Sequence, residues 1–174
     1  DNYKLKMDKK WNIQGYMSYK FAKHFTARVD LGYQSRHIST DRYYGPTTYF
    51  ARNTGRPGIE GGTAQLQVTD EYSTVLTNHN TLEWKQTFDG DHNVSVLVGE
   101  ETVIRKGETK TQYGFGYKGS YDVLNGEIFN YLGQAAYSEF TNYVDPRDNQ
   151  LSFLARANYD YKGRYYVTAT FRAD

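Results

Sequence analysis

The feature that most restricts this chain is an apolar residue at every second position, sustained over about ten residues and repeated along the sequence. Residues 11–19 place Trp11, Ile13, Gly15, Met17 and Tyr19 on one side, with Asn12, Gln14, Tyr16 and Ser18 on the other. Residues 25–34 do the same with Phe25, Ala27, Val29, Leu31 and Tyr33 against Thr26, Arg28, Asp30, Gly32 and Gln34. A helix would scatter both sets around its axis, whereas an extended strand sorts them onto two faces. The pattern returns in 94–104, in 151–161 and in 165–173. Residues 72–87 follow it less cleanly, because Asn78 and Asn80 share a side with Leu76, Leu82 and Trp84.

Six strands follow, and the connections between them alternate in length. Residues 20–24, 88–92 and 162–164 are hairpin turns, the last with Gly163 available for positive φ. Residues 36–71 and 107–148 are long connections rich in Gly and Tyr, and 121–133 carry a weak helical pattern through Val123, Leu124, Ile128 and Leu132. Long structureless loops are foreign to a compact soluble domain, whereas short turns alternating with long loops suit an outer-membrane barrel. Each strand has roughly 10–12 residues, about what a tilted strand needs to cross a bilayer. Aromatic residues crowd the short turns (Tyr19, Phe21, Phe25, Trp84, Phe88, Tyr159, Tyr161, Tyr165, Tyr166), as at a membrane–water boundary. The polar face carries Arg28, Asp30, Arg156, Asp160 and Arg172, which a water-filled lumen accepts and a dry core would not. The same pattern alone also fits the solvated face of an ordinary sheet.

Composition excludes several classes. There is no cysteine, so no disulfide framework, thiolate metal site or cysteine nucleophile. No run of apolar residues is long enough for a membrane helix, and a mean hydropathy of −0.82 does not speak against a barrel whose strands alternate. Leu, Ile, Val and Phe are few, yet a net charge of +1 and 18 Tyr argue against disorder. Balanced charge without a basic stripe gives no reason to expect nucleic acid. The start at Asp1, with no basic or apolar leader, reads as a mature or internal piece.

Residues 149–174 carry Leu151, Ser152, Arg156, Asn158, Tyr159 and Tyr161, then a turn, Tyr165, and a strand ending Arg172-Ala173-Asp174. This run resembles a barrel hairpin of the SusC/RagA family, TonB-dependent outer-membrane transporters of Bacteroidetes. Residues 82–101 resemble the family more loosely, through Leu82, Trp84, His92 and 94–100. The resemblance implies that 1–174 is part of a transporter β-barrel whose plug and remaining strands lie outside this chain. It further implies that the family's Gly-Ser-Ser would follow Asp174. The expected fold class is therefore all-β: an antiparallel transmembrane barrel segment of about six strands, three short periplasmic turns and two long extracellular loops. The implied function is uptake of oligosaccharides or oligopeptides across a bacterial outer membrane. The implied partners are a SusD-like surface lipoprotein, TonB through parts outside this chain, and membrane lipid. No enzymatic activity and no cofactor are expected.

Motifs of other chemistries lack their context. Gly114-Phe115-Gly116-Tyr117-Lys118-Gly119 fits G-x-G-x-x-G, but no buried strand precedes it and no amphipathic helix follows, so it reads as an aromatic-bearing loop. Asp89-Gly90-Asp91 lacks the other calcium ligands and reads as a turn. Glu100 and Glu101 are adjacent and so face opposite sides of a strand. His24, His37, His79 and His92 are dispersed, so no metal site is expected. For ligand contact the candidates are loop residues Tyr43, Tyr44, Tyr49, Phe50, Arg52, Tyr117 and Tyr121, whose rings suit sugars or peptides but equally suit self-packing of the loops. Two other readings stay open. One is a complete eight-stranded outer-membrane protein, an adhesin or lipid-modifying enzyme, with further strands at 1–8 and 111–119. The other is a secreted carbohydrate-binding β-sandwich.

Overall fold

The structure, a computed structural model, describes residues 2–53, 56–59, 61–117 and 127–174. Seven strands stand among them: β1 (Asn2–Phe21), β2 (Phe25–Tyr44), β3 (Ala64–Phe88), β4 (His92–Tyr117), β5 (Tyr137–Val144), β6 (Asp148–Tyr161) and β7 (Tyr165–Ala173). A short helix α1 (Tyr49–Asn53) and a 3₁₀ segment (Glu127–Gln134) lie in the long connections. One sheet holds every strand, in the order β1-β2-β3-β4-β6-β7, with β5 beside β4.

All six expected strands are present, but β1 to β4 run to 20, 20, 25 and 26 residues. The expectation of roughly 10–12 held only for the stretch where one face is oily. Outside it the ladder continues while both faces are polar or locally packed, so the alternation fades although the backbone stays extended. The segments 1–8 and 111–119, taken above as possible separate strands, are therefore the ends of β1 and β4 where they are described. The G-x-G-x-x-G stretch likewise begins on β4 rather than in a loop.

The contacts divide the chain into two compact units. One comprises Trp11–Ser35, Thr74–Lys106 and Arg147–Asp174, and contains all three short turns. In this short-turn unit β4 pairs antiparallel with β6 from His92↔Tyr161 to Arg105↔Asp148. Strand β6 in turn pairs with β7 from Tyr161↔Tyr165 to Phe153↔Ala173. That register stacks Val94, Tyr159 and Val167, then Val96, Ala157 and Ala169, then Val98, Ala155 and Phe171 on one face. The opposite face carries Ser95, Asn158 and Thr168, whose side chains form a chain of hydrogen bonds, each 3.0 Å.

No second layer covers the oily face among the described residues. Met17, Leu31 and Phe153 are 75, 54 and 52% exposed, and neither Val29 nor Val96 is buried. A soluble sandwich would bury such a face, because contiguous apolar patches of this extent are rare on water-exposed surfaces. Rings line the turn ends: Phe21 stacks between Tyr19 and Phe25, and Trp84 lies against Phe88. The turns explain the tight hairpins. Asp89 and Gly90, and Lys162 and Gly163, have paired positive φ with closing bonds from Asp91 N to Phe88 O and Arg164 N to Tyr161 O, the type I′ geometry that matches strand twist. In the first turn the positive-φ positions are Ala22 and Lys23, which have no glycine to relieve them.

The long-loop unit comprises Asp1–Lys10, Arg36–Ser73 and Gly107–Pro146. Its core is small: Ala64, Leu66 and Tyr117, with Tyr43, Phe129, Leu132 and Ala135 packed against them. Strand β5 pairs with the far end of β4, Glu108↔Val144 to Phe115↔Tyr137, and Asp145 N donates to Gly107 O where that pairing begins.

Arginine at Val96 should destabilise the intact protein in lipid vesicles by about 2–4 kcal/mol, whereas arginine at Gln14, on the polar face, should change it by less than about 0.5 kcal/mol. Denaturant unfolding of the two variants measures the difference, and equal effects would refute the facing of the sheet.

Candidate functional site

Two surfaces carry chemistry, one in each unit. In the short-turn unit the polar face is hollowed into a groove of about 690 Å3. Strand alternation delivers its side chains: Asn12, Gln14 and Tyr16 from β1, Arg28, Asp30 and Gln34 from β2, and Thr77, His79 and Thr81 from β3. Arg28 grips Asp30 through two bonds, Nε to Oδ2 at 2.8 Å and Nη2 to Oδ1 at 2.6 Å, and lies 4.1 Å over the Tyr16 ring. The pair is thus neutral and rigid. A second hollow, of about 670 Å3, lies nearer the turns and is lined on the same face by Lys85, Asn93, Asn158, Asp160, Tyr166 and Thr168. Asp160 holds the last turn by accepting from Gly163 N at 2.8 Å. Arg156 is exposed opposite Leu97 and Thr170, and Arg172 bonds Asp174 and Ser152 and lies 3.7 Å from Glu101. All five charged residues named from the sequence share this polar face, by alternation and register.

The loop aromatics separate into two groups. Tyr117 is 5% exposed and donates its hydroxyl to Leu132 O at 3.0 Å, and Tyr43 packs on the same core. Their rings hold the unit together. Tyr44 and Phe50 stack at 4.9 Å, and Phe50 and Tyr49 are exposed on α1. Thr48 caps that helix by accepting from Ala51 N, while Arg52 folds back onto Thr47 O. Tyr121 lies outside the described residues, as do Lys118, Gly119, Val123 and Leu124.

Sequence reasoning did not anticipate the clamp that joins the two long connections. Arg56 Nε lies 2.8 Å from Glu139 Oε1 on β5, and the guanidinium sits 4.5 Å over the Phe115 ring. It is presented by a tight turn, Arg56-Pro57-Gly58-Ile59, with Gly58 at φ 76° and Ile59 N bonded to Arg56 O. Residues 83 positions apart give no periodic signal; only Pro57-Gly58 marked the turn. A second polar cluster joins His37 to Asp70 at 2.7 Å, with His37 stacked on Tyr72 at 4.3 Å and Lys110 over the same ring. Burial, and then the neighbouring Asp70 charge, push the Asp41 carboxyl above its ordinary value, against a bond from Ser39. Among the described residues no cluster of His, Asp or Glu could hold a metal ion.

The chain is 26% identical over 163 residues to a TonB-dependent receptor of Formosa agariphila, covering 93% of this chain and 14% of that protein. Its fold matches solved structures of the RagAB peptide transporter (TM-score 0.79) and of the RagAB peptide importer in the open-open (0.78) and closed-closed (0.75) states. Each of these matches is 18% identical and covers 98% of this chain and 18% of the other. No family model matches the chain. The chain therefore spans less than a fifth of the proteins it resembles, and its fold is that of an antiparallel β-barrel segment.

Because the folded pKa of Asp41 is raised, its charge opposes folding, and stability falls as pH rises from the ordinary carboxylate range through the raised value. Asp41→Asn should therefore raise the melting temperature of the intact protein at neutral pH, with the gain shrinking on acidification. A gain independent of pH would show that Asp41 is not the cause.

Proposed function

We propose that this chain, a barrel segment similar in sequence to a TonB-dependent receptor and in fold to the RagAB transporter, forms part of the wall of a nutrient importer in a bacterial outer membrane. One observation carries the reading: among the described residues no protein layer lies over the oily face of the short-turn unit, while the opposite face is polar, holds the Arg28–Asp30 ion pair and is hollowed. Hydrocarbon on one side and an aqueous passage on the other account for both. The whole of 1–174 belongs to the barrel, with plug and remaining strands elsewhere in the protein.

In this reading the wall performs no covalent chemistry. It pairs the backbone of its interior strands, leaves the outer edges of β1 and β7 for neighbouring strands of the barrel, and offers the solute a polar surface on which Arg28–Asp30, Arg156, Asp160 and Arg172 add little net charge. Energy enters through the plug, pulled by TonB. The long-loop unit faces outward from the cell and meets a SusD-like lipoprotein, which holds an oligosaccharide or oligopeptide over the passage. Of the candidate rings, Tyr49 and Phe50 are exposed enough to touch that ligand or the lipoprotein, half-buried Tyr44 stacks on Phe50, and Tyr43 and Tyr117 order the loops that present them.

Single cysteines at Phe50 and Asn130, both exposed, should label with a membrane-impermeant reagent on intact cells carrying the whole protein. If neither labels until the outer membrane is permeabilised, the orientation is reversed. Alanine at both Tyr49 and Phe50 should weaken ligand or lipoprotein binding at least about tenfold without loss of the folded protein, the scale expected for exposed aromatic anchors. Unchanged affinity for both would remove these rings from the site.

A further inference from the structure

Charge in the long-loop unit is sorted by side, and the two sides differ. On β1, alternation puts Lys4, Lys6, Asp8 and Lys10 opposite to Leu5, Met7 and Lys9. Asp8 accepts from Arg36 Nε at 2.9 Å, which identifies the side of β2 that joins them: Arg36 and, by alternation, Arg42. Glu71 of β3 acts on Arg36 from the same side. Its neighbour Asp70 points the other way and bonds His37. Across β1 to β3 of this unit, the first side therefore holds five cations against the carboxylates of Asp8 and Glu71. The second holds Lys9 and His37 against Asp41 and Asp70. The whole chain carries only +1, so the surplus is local.

The fold does not cancel that surplus. Asp8 is taken up by Arg36, with Lys6 and Lys10 flanking the bonded pair. Among the described residues Lys4, Lys6, Lys10 and Arg42 have no ion-pair partner. The three lysines are exposed, whereas Arg42 is half-buried, its Nε out of contact with solvent and without a hydrogen-bond partner. A cation partly withdrawn from water and left unpaired costs free energy, and a nearby anion offsets that cost.

We propose that this side of β1 and β2 selects an anionic solute, one with carboxylate or sulfate groups spaced along its length. The inference rests on the importer reading given above, in which the polar side of the wall meets the solute. Lys4 and Lys6 stand about 7 Å apart along the strand, and Lys4 and Lys10 about 20 Å. Fields reach about 8 Å at physiological ionic strength, so neighbouring cations act together while the row as a whole suits a ligand with several charges. Flexible, solvated lysines make weak individual ion pairs. Their joint effect is to raise the rate of encounter, and Arg42 adds field from behind rather than a contact.

The test uses the whole protein in nanodiscs of zwitterionic lipid, with trigalacturonate and triglutamate as anionic probes and maltotriose and trialanine as their neutral counterparts. At low salt one anion should bind at least about tenfold more tightly than its neutral counterpart, through a faster on-rate. The anion preferred tells an acidic glycan from an acidic peptide. Gln at Lys4, Lys6 and Lys10 together should abolish the preference, Arg at all three should keep it, and 1 M salt should erase it. Binding of neither anion, no preference over the neutral probe, or a preference untouched by the three Gln substitutions would overturn the inference. So would a Gln variant that binds solute normally but no longer holds its lipoprotein, since the cations would then serve protein docking. Uptake through the protein without an anionic preference would remove this inference and keep the importer. A protein absent from the outer membrane would remove both.

Discussion

Hydrocarbon offers no partner to a peptide group, and that constraint organises the rest. Each N–H and C=O that crosses a bilayer must be bonded inside the sheet, since every exception costs several kcal/mol. Neighbouring strands must therefore run side by side without gaps, and consecutive strands meet through turns too short to leave groups unpaired. The order β1-β2-β3-β4-β6-β7 gives each interior strand a neighbour on both sides and leaves the outer edges of β1 and β7 open, and the type I′ turns at Asp89-Gly90 and Lys162-Gly163 keep the hairpins in register. Register matters because a slip of one residue would send Arg156 and Asp160 to the oily side.

The long-loop unit obeys a different rule. Here the strands continue without a sustained oily face, and order comes from side chains. The buried Tyr117 hydroxyl, the Arg56 clamp on Glu139 and Phe115, and the small apolar cluster around Leu66 take over.

The sequence carried much of the fold but only half of the site. Alternation placed Val29, Val96 and Phe153 together and Arg28, Asp30 and Arg156 opposite them, and the structure has the same division. It failed at the strand ends, where β2 runs on to Tyr44 and β3 begins at Ala64 inside what read as one loop. There the two faces have similar polarity, so a period of two leaves no trace. Among the loop rings nothing in the letters separates Tyr117, which is buried, from Tyr49, which is not. The Arg56–Glu139 pair was equally silent, being a contact between distant segments.

By itself the sequence determined which residues share a face, where the tight turns fall and that the oily side needed an apolar neighbour, because these follow from strand geometry and the transfer free energy of side chains. Only the tertiary structure decided that no layer among the described residues supplies that neighbour, that Arg56 reaches Glu139 across the two long connections, and which loop aromatics are spent on packing. Those outcomes depend on what lies across the sheet from each residue, and a linear pattern holds no record of distance between strands.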